Sequence, residues 1–209
     1  MQDKSLTILS ALFVSSLTIA AVLASKIINV FGLFVPAGIL AYSVTFLVSD
    51  TIGEIWGRKT ANNVVIAGFI ALASVFILIR FAIVLPSAPF WGNQEAFTTI
   101  LSASSRIIIA SLIAYLVSQY HDVWLYHFIK DRTGKKHLWL RNNASTAMSQ
   151  LLDSVIFIVI AFYGVMPLVP LILGQWVIKL IIALIDTPFV YGLVWFLRDR
   201  SEKTETAGV

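Results

Sequence analysis

Cysteine is absent from all 209 residues, which excludes disulfides and thiolate-held metals. Charge is scarce as well. Only 12% of the chain is Asp, Glu, Lys or Arg, about half the ~25% of an ordinary soluble domain. Catalytic signatures are missing too: there is no Gly-x-Ser-x-Gly and no His-Glu-x-x-His, and no histidine lies inside a long apolar run. Strictly alternating segments of about ten residues, which a membrane β-barrel needs, do not occur. Neither is there an internal repeat of the kind many transporters carry. What remains is apolar: 58% hydrophobic residues, and a mean hydropathy of +0.88.

That composition predicts an all-α integral membrane protein, a single domain over 1–209. Six runs come near the ~20 residues needed to cross hydrocarbon: 6–28, 35–56, 61–85, 98–120, 142–163 and 171–197. Glycine and proline punctuate them, with Gly32, Pro36 and Gly38 at the first break, Pro86, Pro89 and Gly92 at the third, and Gly164, Pro167 and Pro170 at the fifth. The first run ends in small residues like a signal peptide, but its length and the spans beyond it favour an uncleaved helix.

Positive charge sets the expected orientation. Lys4, Arg58, Lys59, the group Lys130, Arg132, Lys135, Lys136 and Arg141, and the group Arg198, Arg200 and Lys203 fall on alternate connections. The third and fifth connections have no Lys or Arg. A six-helix bundle in the inner (cytoplasmic) membrane with both termini cytoplasmic satisfies this pattern. The net charge of +4 is thereby explained without nucleic acid, for which no soluble basic face exists. Residues 121–140 read as a cytoplasmic connection with a short interfacial helix, and 199–209 as a polar tail. All three histidines lie in that connection, without carboxylate spacing to suggest a metal; no metal or cofactor is expected.

Ionisable groups inside the spans are the functional signal, because each costs roughly 2.5–3.5 kcal/mol at bilayer depth on insertion scales. Residues three, four, seven or eleven apart share a helix face. Asn142, Thr146, Ser149 and Asp153 form one stripe of the fifth span, with Gln150 beside it. Gln175, Lys179 and Asp186 form another on the sixth; Ser43, Asp50, Glu54 and Gly57 align on the second; Ser102, Ser105 and Arg106 mark the fourth. At ~1.5 Å per residue, Arg106 and Lys179 lie about 12 Å below the outer ends of their helices, and Asp153 lies near the midplane. Arg106 or Lys179 is therefore expected to pair with Asp153 or Asp186. Glu54 can pair with Arg58 one turn on, near the inner boundary. Phe90, Trp91, Tyr163 and Trp176 gather toward the outer end, as interface belt or as ring-stacking surface. Ala20-xxx-Ala24 and Gly53-xxx-Gly57 permit close helix approach, either in the bundle or to a partner.

The stretch from Phe31-Gly32-Leu33-Phe34-Val35-Pro36-Ala37-Gly38 to Thr45-Phe46-Leu47-Val48-Ser49-Asp50-Thr51-Ile52-Gly53-Glu54-Ile55-Trp56-Gly57-Arg58 resembles the queuosine precursor transporter family. The run from Arg141 to Asp153 is similar to that family's second signature. Gly53 departs from the pattern, standing where many members have a small hydroxyl residue. The resemblance implies six spans, a fold like the substrate-binding subunits of energy-coupling-factor vitamin transporters, and import of a 7-deazaguanine: the cyano or aminomethyl precursor of queuosine, or queuine.

A guanine-type edge presents paired N–H donors beside a carbonyl, which a carboxylate, an amide and a cation can complement. The residues expected to bind substrate are Arg106, Asn143, Gln150, Asp153, Gln175, Lys179 and Asp186. Asp50, Glu54 and Arg58 are expected to couple or gate, and Trp91, Tyr163 or Trp176 to stack on the ring. The partners expected are the small-molecule deazapurine and the lipid bilayer, with an energising membrane protein docked through Ala20 and Ala24 as one of two mechanisms. The other has the chain act alone, with Asp153, Asp186 or Asp50 taking up protons. A substrate-binding subunit for another purine or vitamin is the alternative within this class. Two further classes are an intramembrane enzyme with an Asp153–Asp186 pair and a structural membrane scaffold with a closed, dry interior.

Overall fold

The computed structural model describes the backbone of residues 2–133 and 138–207, and the side chains of 4–118, 120, 121, 124, 125, 128 and 147–197 except Thr187. Six helices and one small hairpin follow in order: α1 (Gln2–Leu23), β1 (Ile27–Val30), β2 (Leu33–Pro36), α2 (Ile39–Trp56), α3 (Arg58–Val84), α4 (Gln94–Thr133), α5 (Leu138–Phe162) and α6 (Leu168–Ala207). Four segments, Lys4–Leu23, Arg58–Val84, Gln94–Ser118 and Leu168–Leu197, are long and apolar enough to cross a membrane; Ala147–Phe162 is a shorter apolar stretch. Bulky apolar side chains such as Leu78, Phe81, Leu116 and Leu184 are exposed on the outside of the bundle. Lipid accounts for such a surface; water would not.

The chain leaves the expected spans in four places. The first helix stops at Leu23, and β1 and β2 pair antiparallel, Ile27 opposite Pro36 and Val30 opposite Leu33. The β-branched run Ile27-Ile28-Asn29-Val30 suits a strand. Phe31 (φ 51°) and Gly32 (φ 86°) make the two-residue turn, both in the left-handed region that such hairpins require. Asn29 steadies it, its Oδ1 accepting from the Gly32 N–H at 2.8 Å. Next, α2 and α3 are separated by Gly57 alone, whose φ of 84° is open to glycine at little cost. Finally, the helix expected to end at 120 continues to Thr133, with no separate interfacial helix between. No glycine or proline interrupts 94–133, so nothing in the chain stops it. At ~1.5 Å per residue this 40-residue helix extends for about 60 Å, twice the hydrocarbon thickness. Likewise α6 runs through Pro188 into the stretch expected to be a polar tail.

The core runs through all six helices, where Phe13, Leu17, Ile52, Leu72, Ile107, Ile158 and Leu171 are buried. Helix α4 packs most extensively along α5, α1 against α2, and α6 against α2 and the hairpin. Two glycines allow the close approaches that shape the outer end. A Cβ on Gly38 would collide with the Ala20 carbonyl, and one on Gly174 with the Phe34 carbonyl. Ala20 and Ala24 are thus buried against α2 and are not available as a docking stripe for a partner, because Gly38 already occupies that close approach.

Candidate substrate-binding cavity

Three polar residues meet where α5, α6 and α2 face one another. Gln175 and Lys179 are one turn apart on α6, and both are 4% exposed. Asp153 of α5 forms an ion pair with Lys179 through Oδ2. Its Oδ1 accepts from Ser118 Oγ of α4 at 3.4 Å. The Lys179 ammonium also stands 5.6 Å from the centre of the Tyr42 ring, a cation–π arrangement. Gln175 Oε1 is buried without a hydrogen-bond partner among the described residues. A buried acceptor left open costs about 1–3 kcal/mol, so its presence at a cavity wall calls for something to fill it.

Tyr42, Asp153, Gln175 and Lys179 line a small cavity of about 70 Å³. At 10–15 Å³ per water it has room for about five to seven waters. Ala20, Ala21, Ala24 and Ala114 give it a small-residue wall; Pro36 and Gly38 bring the base of the hairpin to it, and Phe157 and Tyr42 supply aromatic faces. A second, wider cavity of about 820 Å³ is lined by Thr45, Ser49, Asp50, Glu54, Arg58 and Asn62, among others. Leu17, Tyr42, Leu72 and Ser111 border both. The face of α2 that serves the two cavities reads Gly38, Tyr42, Thr45, Ser49 and Gly53, a three-four spacing.

The residues singled out in the sequence separate into groups. Asp153, Gln175 and Lys179 come together, and Lys179 with Asp153 is one of the pairings expected. Gln150 is half-buried with an Oε1 unpartnered among the described residues, but it does not line the smaller cavity. Asp50, Glu54 and Arg58 line the wider one. Asp186 lines neither, and its buried Oδ2 has no partner among the described residues. With Asp153 held by Lys179 and Ser118, the carboxyl pair that an aspartyl enzyme would need is not formed. The Asn143 side chain lies outside the described residues.

Arg106 is elsewhere. Its Nε donates to the Ile160 carbonyl at 2.6 Å and one terminal nitrogen to the Tyr163 carbonyl at 2.9 Å. These carbonyls belong to the last turn and cap of α5, just before Gly164 (φ 79°) ends the helix, where orphan acceptors and the negative end of the helix dipole attract a cation. The Ser102–Ser105–Arg106 stripe is therefore not the cavity face of α4; Ile107, Ser111 and Ala114 are.

The three aromatics expected to stack also lie away from the cavity. Trp91 sits edge-on to Phe97 at 5.7 Å, Tyr163 is exposed, and the Trp176 indole N–H donates to the Ala147 carbonyl at 3.1 Å. Tyr42, Phe157 and Ser118 are the residues that sequence reading missed. The signal for Tyr42 was present, since it begins the Tyr42–Thr45–Ser49 stripe.

A family model described as "Putative vitamin uptake transporter" matches residues 36–193. The chain belongs to the vitamin uptake transporter family. Among relatives, it is 32% identical over 171 residues to the "Probable queuosine precursor transporter" of Bacillus subtilis (strain 168), an alignment covering 80% of this chain and 75% of that one. It is 25% identical over 163 residues to the "Queuosine precursor transporter" of Escherichia coli (strain K12), covering 77% and 70%. A "Probable queuosine precursor transporter" of Haemophilus influenzae is 27% identical over 135 residues, covering 65% and 55%. No solved structure matches. Membership in this transporter family makes the protein a multi-pass membrane transporter and not an enzyme.

Proposed function

We propose that this chain imports a 7-deazaguanine precursor of queuosine, such as the cyano or aminomethyl form, or queuine, and holds it in the smaller cavity. The observation that carries the reading is the open acceptor of Gln175 beside the Lys179–Asp153 pair, in a transporter whose relatives are named for queuosine precursors. A guanine-type edge fits the donor set. Its adjacent N–H groups would donate to Gln175 Oε1 and to the Asp153 carboxylate, and its carbonyl would accept from the Lys179 ammonium. Tyr42 or Phe157 would cover the ring face, in place of the outer aromatics. Such a base fills the small cavity and reaches Tyr42, which borders the wider one. The positive-inside pattern supports a cytoplasmic position for Arg58 at the inner membrane, which would make the wide cavity with Asp50, Glu54 and Arg58 the exit vestibule. Both termini would then be cytoplasmic.

Calorimetric titration of the purified protein with queuine, its two precursors and guanine tests this. Saturable binding of at least one deazaguanine, weakened at least tenfold by Asp153→Asn, is the expected result. Binding that is absent, or unaltered by that substitution, would refute it.

A further inference from the structure

We infer that the Lys179–Asp153 pair sets the charge of the substrate, selecting a neutral heterocycle over one carrying an ammonium group; this rests on the function proposed above. Among the described residues lining the smaller cavity, only these two carry full charge, and they neutralise each other. Both are well buried, with side chains 5% and 16% exposed. The electron-rich face that would otherwise welcome a cation, the Tyr42 ring, already faces Lys179 at 5.6 Å. The remaining wall is alanine and other apolar surface, the Ser111 hydroxyl, which donates to the Ile107 carbonyl, and the open amide oxygen of Gln175.

A neutral base loses little on entering such a space, because its N–H donors find Gln175 and Asp153. An ammonium group loses its hydration and meets the like charge of Lys179, while the charge of Asp153 is already neutralised by that lysine. A primary alkyl amine is protonated at neutral pH, as the lysine side chain is. Of two deazaguanines identical but for the 7-substituent, the nitrile is therefore the better ligand and the aminomethyl compound the poorer one. Lys179 is the specificity-determining residue in this account. Removing its charge leaves Asp153 as an unpaired anion facing the cavity, which is a site for a cation.

The test is calorimetric titration of the full chain in detergent with the cyano and aminomethyl compounds at pH 7, for wild type, Lys179→Gln and the double variant Lys179→Gln/Asp153→Asn. In wild type the cyano form is expected to bind at least tenfold more tightly. In Lys179→Gln the order should invert, with the aminomethyl form gaining at least tenfold relative to the nitrile. The double variant, neutral again, should restore the preference for the nitrile. Equal binding of the two compounds by wild type, or a ratio unchanged in a folded Lys179→Gln variant, overturns the inference while leaving deazaguanine transport standing. Failure of wild type to bind either compound would count against the transport reading itself. If Lys179→Gln does not fold, the wild-type ratio alone decides.

Discussion

The C-terminal end of α5 and the cavity between α5 and α6 each recruit one cation, and the two do different jobs. Arg106 and Lys179 sit at similar depth in their helices. At the helix end, the planar guanidinium spreads over two backbone carbonyls that nothing else in the helix can satisfy. In the cavity, the point charge of Lys179 meets a carboxylate and a ring, and an open amide oxygen waits one turn away. The lesson is that intramembrane charge alone does not mark a site. What marks it is charge beside a polar atom left without a partner.

The largest effect should come from splitting the cavity pair. Lys179→Ala leaves Asp153 without a countercharge, its only remaining described partner the Ser118 hydroxyl, at a cost of about 3–5 kcal/mol, whereas removing both charges together should cost much less. Thermal unfolding of the two single variants and the double variant would expose that non-additivity. Arg106→Ala comes next. It strips two charge-assisted hydrogen bonds from the end of α5 and should destabilise by about 1.5–3 kcal/mol. Substrate affinity should stay within about twofold, so stability and binding separate here and move together at Lys179. A Gln175→Leu variant sharpens the contrast from the other side. Filling the open acceptor's place with an apolar side chain should leave stability unchanged or raised by up to about 1 kcal/mol, while binding weakens by roughly tenfold. The smallest effect is expected at Trp91→Ala, which should alter binding less than twofold because that ring packs on Phe97 away from both cavities.

Periodicity made the helices and three cavity residues legible. Asp153, Gln175 and Lys179 are polar at helical spacing inside apolar runs, and bilayer physics leaves such groups few places to go. Arg106 obeys the same rule, but its partners are backbone carbonyls, which have no signature in a sequence. Tyr42 escaped because an aromatic near a helix start reads equally as interface belt. The hairpin was hidden by its apolar residues, which extend the hydrophobic run of α1 without a break in hydropathy; only Asn29 and Gly32 betray the turn. The length of α4 depended on residues 121–133 being free of helix breakers, a feature that says nothing about where the membrane ends.

Titration of the purified protein with the cyano-substituted deazaguanine, run in parallel on wild type, Asp153→Asn and Arg106→Ala, tests the central claim most directly. Saturable binding to wild type, at least tenfold loss in Asp153→Asn and near-wild-type affinity in a folded Arg106→Ala are the expected results. Equal affinity in wild type and Asp153→Asn, or loss confined to Arg106→Ala, would contradict it.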